Sequence, residues 1–246
     1  MLWLSAILFF VLRLPSLFEP YWYGDEGVYL VLGQAIRHGL TLYSQIYDNK
    51  PPAIYYFAAL TQTVFGFRLL LMLWMIPTCY FFYHLASRYL SIKRAPIALL
   101  LFIILTSIPV IEGHIANAEI FMLLPTILGF LLFEKYLFWS GLFLGLAFLF
   151  KVPVAIEFFF LFCFSFIILK KYKDLKSLFI FGTSFFIPVI ITIIYYWLND
   201  ALLPYLSSAF LQNFGYLSSW STGGQNSSPA SSGLPLRLGL MLLSWL

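Results

Sequence analysis

The chain of 246 residues is 62% hydrophobic and only 10% charged, with a mean hydropathy of +0.92, whereas soluble domains run at about 45–50% apolar and about 25% charged. Its apolar runs exceed what one soluble core can cover, which excludes water-soluble enzyme folds, nucleic-acid binders and disordered tails. A net charge of +4 does not reopen the nucleic-acid question, because the basic groups fall in short clusters between apolar runs.

A charge at the centre of a membrane helix costs roughly 2.5–3.5 kcal/mol, so the 14 basic and 10 acidic residues mark the loops. Basic clusters at Arg88, Lys93 and Arg94, at Lys135, and at Lys170, Lys171, Lys173 and Lys176 are opposed only by Glu134 and Asp174. The other acids gather at Glu19, Asp25, Glu26 and Asp48, at Glu112 and Glu119, and at Asp200. The positive-inside rule puts the first set in the cytoplasm and the second outside.

In chain order, residues 2–18 form a first span that leaves the membrane through Tyr21, Trp22 and Tyr23; it lacks the basic start and cleavage site of a removable signal. An outer loop over 19–52 carries a helix, 27–37, ended at Gly39, with Asp25 as a candidate N-cap. The apolar stretch 53–67 decides the topology. If it crossed the membrane, as 69–85 must, parity would put Arg88, Lys93 and Arg94 outside. Its double proline and the polar Thr61, Gln62 and Thr63 instead suit a helix lying in the outer interface, with Arg68 opening the second span.

Beyond the outer residues 112–119, residues 137–150 rise to an apex at Lys151, Val152 and Pro153, and 154–169 return. Residues 178–198 lead out to a Ser/Gly-rich stretch, 218–233, with an Asn226-Ser227-Ser228 sequon of low specificity. The last run, 234–246, is too short to cross and reads as a chain cut short. The expectation is one all-α domain, 1–246: a polytopic transmembrane bundle of about seven spans with interfacial helices in the first outer loop. Cys79 and Cys163 lie in separate apolar stretches and read as small buried hydrophobes.

This topology gathers Asp25, Glu26, Asn49, Lys50, Arg68, Glu112, His114, Asn117, Glu119 and Lys151 at the outer surface. Each has a bland alternative. Lys50 and Arg68 also suit snorkelling anchors, and His114 and Glu119 suit residues at a helix start. Lys151, between apolar helices, needs an anionic partner or a wet cavity, and Glu157, one to two turns on, is the expected structural partner.

A set of short motifs carries a resemblance. Arg13-Leu14-Pro15, Gly24-Asp25-Glu26-Gly27-Val28-Tyr29, Gly39-Leu40-Thr41-Leu42-Tyr43, Tyr47-Asp48-Asn49-Lys50-Pro51-Pro52 and Phe65-Gly66-Phe67-Arg68-Leu69 occur in that order. They resemble the first third of the membrane glycosyltransferases of the GT-C superfamily, in particular the family 39-like bacterial enzymes related to protein O-mannosyltransferases and lipid A aminoarabinose transferases. Residues 112–119 look like the second outer loop of that family, and 145–153 are similar to its Lys-x-Pro segment. The resemblance covers most of residues 13–153 and implies an inverting transfer of a sugar from a polyprenyl-phosphate donor to a lipid, glycan or protein acceptor at the outer face of the plasma membrane.

Under the resemblance, Asp25 is the catalytic carboxylate with Glu26 as its neighbour, and Lys50 binds the donor phosphate, a role extended to Arg68 and Lys151. Glu112, His114, Asn117 and Glu119 fall in the second outer loop. Glu119 stands where relatives often carry aspartate, and Val152 where they often carry Gly or Gln. The first departure leaves a divalent metal open, with Asp25 and Glu119 as candidate ligands. The competing expectation is a non-enzymatic lipid or polysaccharide transport or assembly protein whose outer charges bind an anionic headgroup.

Overall fold

The computed structural model describes residues 2–20, 23–168 and 175–212. Tyr21 and Trp22, the Lys170, Lys171 and Lys173 part of the basic cluster, the Ser/Gly-rich stretch with its sequon, and the final apolar run lie outside the described residues. Among the described residues regular structure is helical, and β-type pairing is confined to one isolated bridge between Leu42 and Ile46. The helices are α1 (Leu2–Arg13), α2 (Gly24–Arg37), α3 (Ala53–Ala59), α4 (Val64–Tyr89), α5 (Ala95–Leu105), α6 (Ala118–Phe121), α7 (Leu123–Leu132), α8 (Leu137–Phe148), α9 (Val154–Ile168), α10 (Leu175–Leu198) and α11 (Leu202–Leu206).

Two of these are long and apolar enough to cross a membrane: Val64–Tyr89 and Lys176–Leu198. The other apolar runs give shorter helices than hydropathy alone suggests. At 1.5 Å per residue, α5 and α8 span only about 17–18 Å of a core about 30 Å thick. The difference lies at the ends, where Thr106, Ser107 and Pro109 turn the chain away after α5, and Arg13 and Pro15 end α1 before Phe18.

The stretch 53–67 is not one helix. α3 holds seven residues, a rise of about 10 Å, and the chain breaks at Leu60 before Thr63 caps α4 by accepting from the Gly66 amide at 3.0 Å. Arg68 therefore lies inside α4 rather than at its mouth. Close backbone approach fixes where α3 sits: a Cβ on Gly33 of α2 would fall 2.6 Å from the Ala59 nitrogen. At the other side of the molecule Gly145 lets α8 press against the Phe185 carbonyl of α10, a small-residue contact typical of membrane helices.

Aromatic side chains fill the space under one end of the bundle. Phe57, Phe67, Trp74, Phe121 and Phe150 pack ring against ring, and the Trp74 indole donates to the Phe121 carbonyl at 2.9 Å. This packing ties α3, α4, α6 and the end of α8 into one floor. The chain crosses between segments here as well: the Ala53 amide donates to the Leu149 carbonyl at 3.0 Å, and buried Arg13 donates to the carbonyls of Thr106 and Gly113. The first loop, the segment 106–119 and the Lys151 turn thus share one end. At the opposite end Arg88 donates to the Leu131 carbonyl and the Tyr89 hydroxyl to Glu134.

Candidate functional site

Asp25 and Glu26 both occupy the first turn of α2, where the unpaired amides favour negative charge. Neither is the N-cap. That position is Tyr23, which makes no side-chain cap, so the capping role expected for Asp25 does not hold. With 100° between successive side chains the two carboxylates face different ways.

Asp25 meets Lys50, whose ammonium lies 2.5 Å from Asp25 Oδ2 and 2.5 Å from the Tyr29 hydroxyl. The same ammonium stands 4.7 Å from the centroid of the Tyr29 ring. The Tyr29 hydroxyl in turn donates to Asn117 Oδ1 at 3.0 Å, with Asp25 Oδ2 at 3.4 Å as its alternative acceptor. Asn117 also accepts from the Ala118 amide and so starts α6. One buried tyrosine, one turn beyond Asp25, joins the first loop to the second.

The Lys50 backbone is held on both sides by tyrosines: the Tyr43 hydroxyl donates to its carbonyl at 2.7 Å, and its amide donates to the Tyr55 hydroxyl at 3.3 Å. Tyr43 adopts φ +73°, a conformation that L residues rarely keep unless their surroundings hold them there. Its ring packs on Tyr196 of α10 and Tyr205 of α11, at 5.2 and 5.3 Å between centroids.

Lys151 enters from the turn between α8 and α9 and pairs with Glu119. The expected pairing with Glu157 does not form; Glu157 Oε2 is buried without a hydrogen-bond partner. Burial and the charge of nearby Lys50 push the Lys151 ammonium down to about 8, against the pull of Asp25. Each lysine thus has its own carboxylate. Asp25 keeps 46% of its side-chain surface exposed, Glu119 39%, Lys151 29% and Lys50 20%, so a ligand can reach all four.

Glu26 and Arg68 have a different fate. Both side chains are fully buried, joined by hydrogen bonds of 2.9 and 2.7 Å. Arg68 also donates to the carbonyls of Ser16 and Glu19, at 2.7 and 3.0 Å, and Glu26 accepts from the Ala116 amide at 3.4 Å. The expectation of Glu26 beside the reacting atoms and Arg68 on a donor phosphate is corrected: neither is accessible, and together they staple α2, α4, the turn after α1 and the second loop.

The remaining second-loop residues ring the site. His114, buried, meets Glu19 at 3.1 Å, and burial holds its imidazole below its ordinary value despite that carboxylate. Glu112 adopts φ +58° and faces Tyr23; burial and this carboxylate raise the Tyr23 phenol to about 12. Asp25 and Glu119 make a poor cradle for a divalent cation, since each is already neutralised by an ammonium group and two positive charges stand beside them. Among the described residues no three His, Cys, Asp or Glu side chains gather as metal ligands.

Tyr29, Tyr43 and Tyr55 escaped the sequence reading of the site. The spacing of Tyr29, four residues after Asp25 and so on the same helical face, was the available signal. No family model, curated protein or solved structure matches the chain, so its resemblance to the GT-C enzymes rests on the motifs alone.

Proposed function

We propose that the protein is a polytopic membrane glycosyltransferase that moves a sugar from a polyprenyl-phosphate donor to an acceptor hydroxyl, with its acid-bearing end outside. The observation that carries this reading is that two lysine–carboxylate pairs from distant turns, Lys50 with Asp25 and Lys151 with Glu119, are drawn to one end of the molecule and tied through the Tyr29–Asn117 hydrogen bond, with Asp25 half-exposed. The gathering of Arg88, in the last turn of α4, with Lys93, Arg94 and Lys135, in turns away from this site, supports the orientation.

In this mechanism Asp25 accepts the proton of the acceptor hydroxyl as its oxygen attacks the anomeric carbon. The bond from that carbon to the phosphate oxygen breaks on the opposite side, and the electron pair leaves with the lipid phosphate. Lys50 and Lys151 stabilise the charge that grows on the phosphate, in a site walled by aromatic rings where such interactions are strong. Displacement in one step inverts the anomeric centre. Glu119 orients Lys151, while Tyr29 and Asn117 hold Lys50 and Asp25 in register.

The reading is tested by reconstituting the full chain in proteoliposomes with radiolabelled polyprenyl-phosphate sugars and a lysate of acceptor lipids and glycans. Label appearing in an acceptor, with polyprenyl phosphate released in equal amount, supports it. Donor that binds or changes leaflet with its sugar still attached contradicts it and favours a transport role.

A further inference from the structure

Four charged side chains meet at this end of the molecule, and they form two closed pairs. Asp25 with Lys50 and Glu119 with Lys151 sum to zero charge, and the two pairs are tied through Tyr29, which accepts from Lys50 and donates to Asn117, two residues before Glu119. In this state Asp25 Oδ2 is taken up by the Lys50 ammonium rather than open to an acceptor hydroxyl. Lys50 is equally unsuited to hold a phosphate while it is spent on Asp25. Either the pairs persist and the site is weak at both tasks, or they exchange.

We propose that an entering phosphate draws Lys50 away from Asp25 and Lys151 away from Glu119, so that occupancy of the phosphate site is what frees Asp25 to act as a base. The inference rests on the glycosyltransferase reading for its role and on geometry for its parts. A phosphate offers several charged oxygens to both ammonium groups at once and so competes with the single carboxylate that each now holds, which gives the exchange its driving force. The Lys50 ammonium sits at the hydroxyl edge of Tyr29, 2.5 Å from its oxygen, so it keeps a neutral partner when Asp25 is released. The Tyr29 hydroxyl, 3.4 Å from Asp25 Oδ2, remains as a donor that keeps the freed carboxylate in place. Glu119 Oε2, buried without a hydrogen-bond partner, marks the second pair as incompletely satisfied before any ligand enters. The consequence is order: the donor binds first, and an acceptor hydroxyl arriving at a donor-free site finds no base.

A zero-length carbodiimide crosslink reads the pairs directly. In detergent micelles of the full chain, peptide mapping by mass spectrometry should find Lys50 joined to Asp25 and Lys151 joined to Glu119. Undecaprenyl phosphate at ten times its Kd leaves about a tenth of the sites empty, so both crosslinks should fall roughly tenfold. Coupling of added glycine ethyl ester to exposed Glu134, at the opposite end, monitors the reagent, and sulfate at matched ionic strength controls for screening. A second arm uses inorganic phosphate: loss of crosslinks with it alone supports the exchange and assigns the site to the phosphate group rather than to the lipid tail. Persistence of the Lys50–Asp25 crosslink under bound undecaprenyl phosphate overturns the proposal. If sugar transfer proceeds while that crosslink persists, the exchange falls and the transferase reading stands. If the crosslinks vanish but no sugar is ever transferred, the exchange stands and the transferase reading falls.

Discussion

Asp25 and Glu26 are neighbours in sequence, carry the same chemistry, sit in the same helical turn and each bind a cation from a distant segment. Glu26 and Arg68 are wholly buried, with backbone groups satisfying the atoms the pair leaves over. Asp25 and Lys50 are 46% and 20% exposed, and Lys50 is shared with a tyrosine. A rotation of 100° along α2 separates a staple from a candidate active site. The two pairs differ in access and in whether the cation has a second side-chain partner, which Lys50 has in Tyr29.

The comparison can be broken most severely at the buried pair. Arg68→Ala leaves the Glu26 carboxylate buried and uncompensated, at a cost of about 3–5 kcal/mol. Thermal unfolding in detergent should show the loss, and replacement of both residues by leucine should recover much of it. At the exposed pair, Lys50→Ala should leave folding nearly intact but weaken donor binding. A hydrogen bond to a charged group contributes about 1.5–3 kcal/mol, or roughly 10- to 150-fold in Kd, measurable by titration with undecaprenyl phosphate.

Lys151 sharpens the comparison through pH. Because its ammonium is held at about 8 instead of 10.5, its charge is lost as pH rises through that value. Phosphate affinity should then fall by up to about tenfold per pH unit above it. Lys151→Arg, charged throughout, should flatten the profile. His114 gives the smallest effect. Its folded value lies below 6.5, so the stability it contributes is present above 6.5 and is lost as pH falls. The unfolding midpoint should drop on acidification, and His114→Gln should reduce that drop.

Much of this arrangement is written in the sequence, and the rest fails to be for identifiable reasons. The double proline and the polar Thr61, Gln62 and Thr63 mark residues 53–67 as something other than one long helix, and the structure has a seven-residue helix and a break there. The motif Asn49-Lys50-Pro51-Pro52 singles out Lys50. Arg68 misleads because an arginine at the head of an apolar run reads as an anchor or a ligand; its partner is 42 positions away, and burial is invisible to spacing. Tyr29 is missed because a tyrosine on an amphipathic helix reads as core, and its ring is indeed buried while its hydroxyl serves the site. Lys151 finds Glu119 rather than Glu157 because α6 brings the second loop over the turn, a contact that no local periodicity encodes. Helix ends are the least legible part, since hydropathy reads through Thr106, Ser107 and Pro109, where the backbone turns.

Asp25→Asn keeps the shape of the side chain and removes only its charge, so it separates the two carboxylates in one experiment. The account predicts sugar transfer from polyprenyl phosphate slower by about 10²–10⁴-fold, with the unfolding midpoint close to that of the unaltered protein. Transfer at the unaltered rate, or a collapse of the fold like that expected of Arg68→Ala, would contradict it.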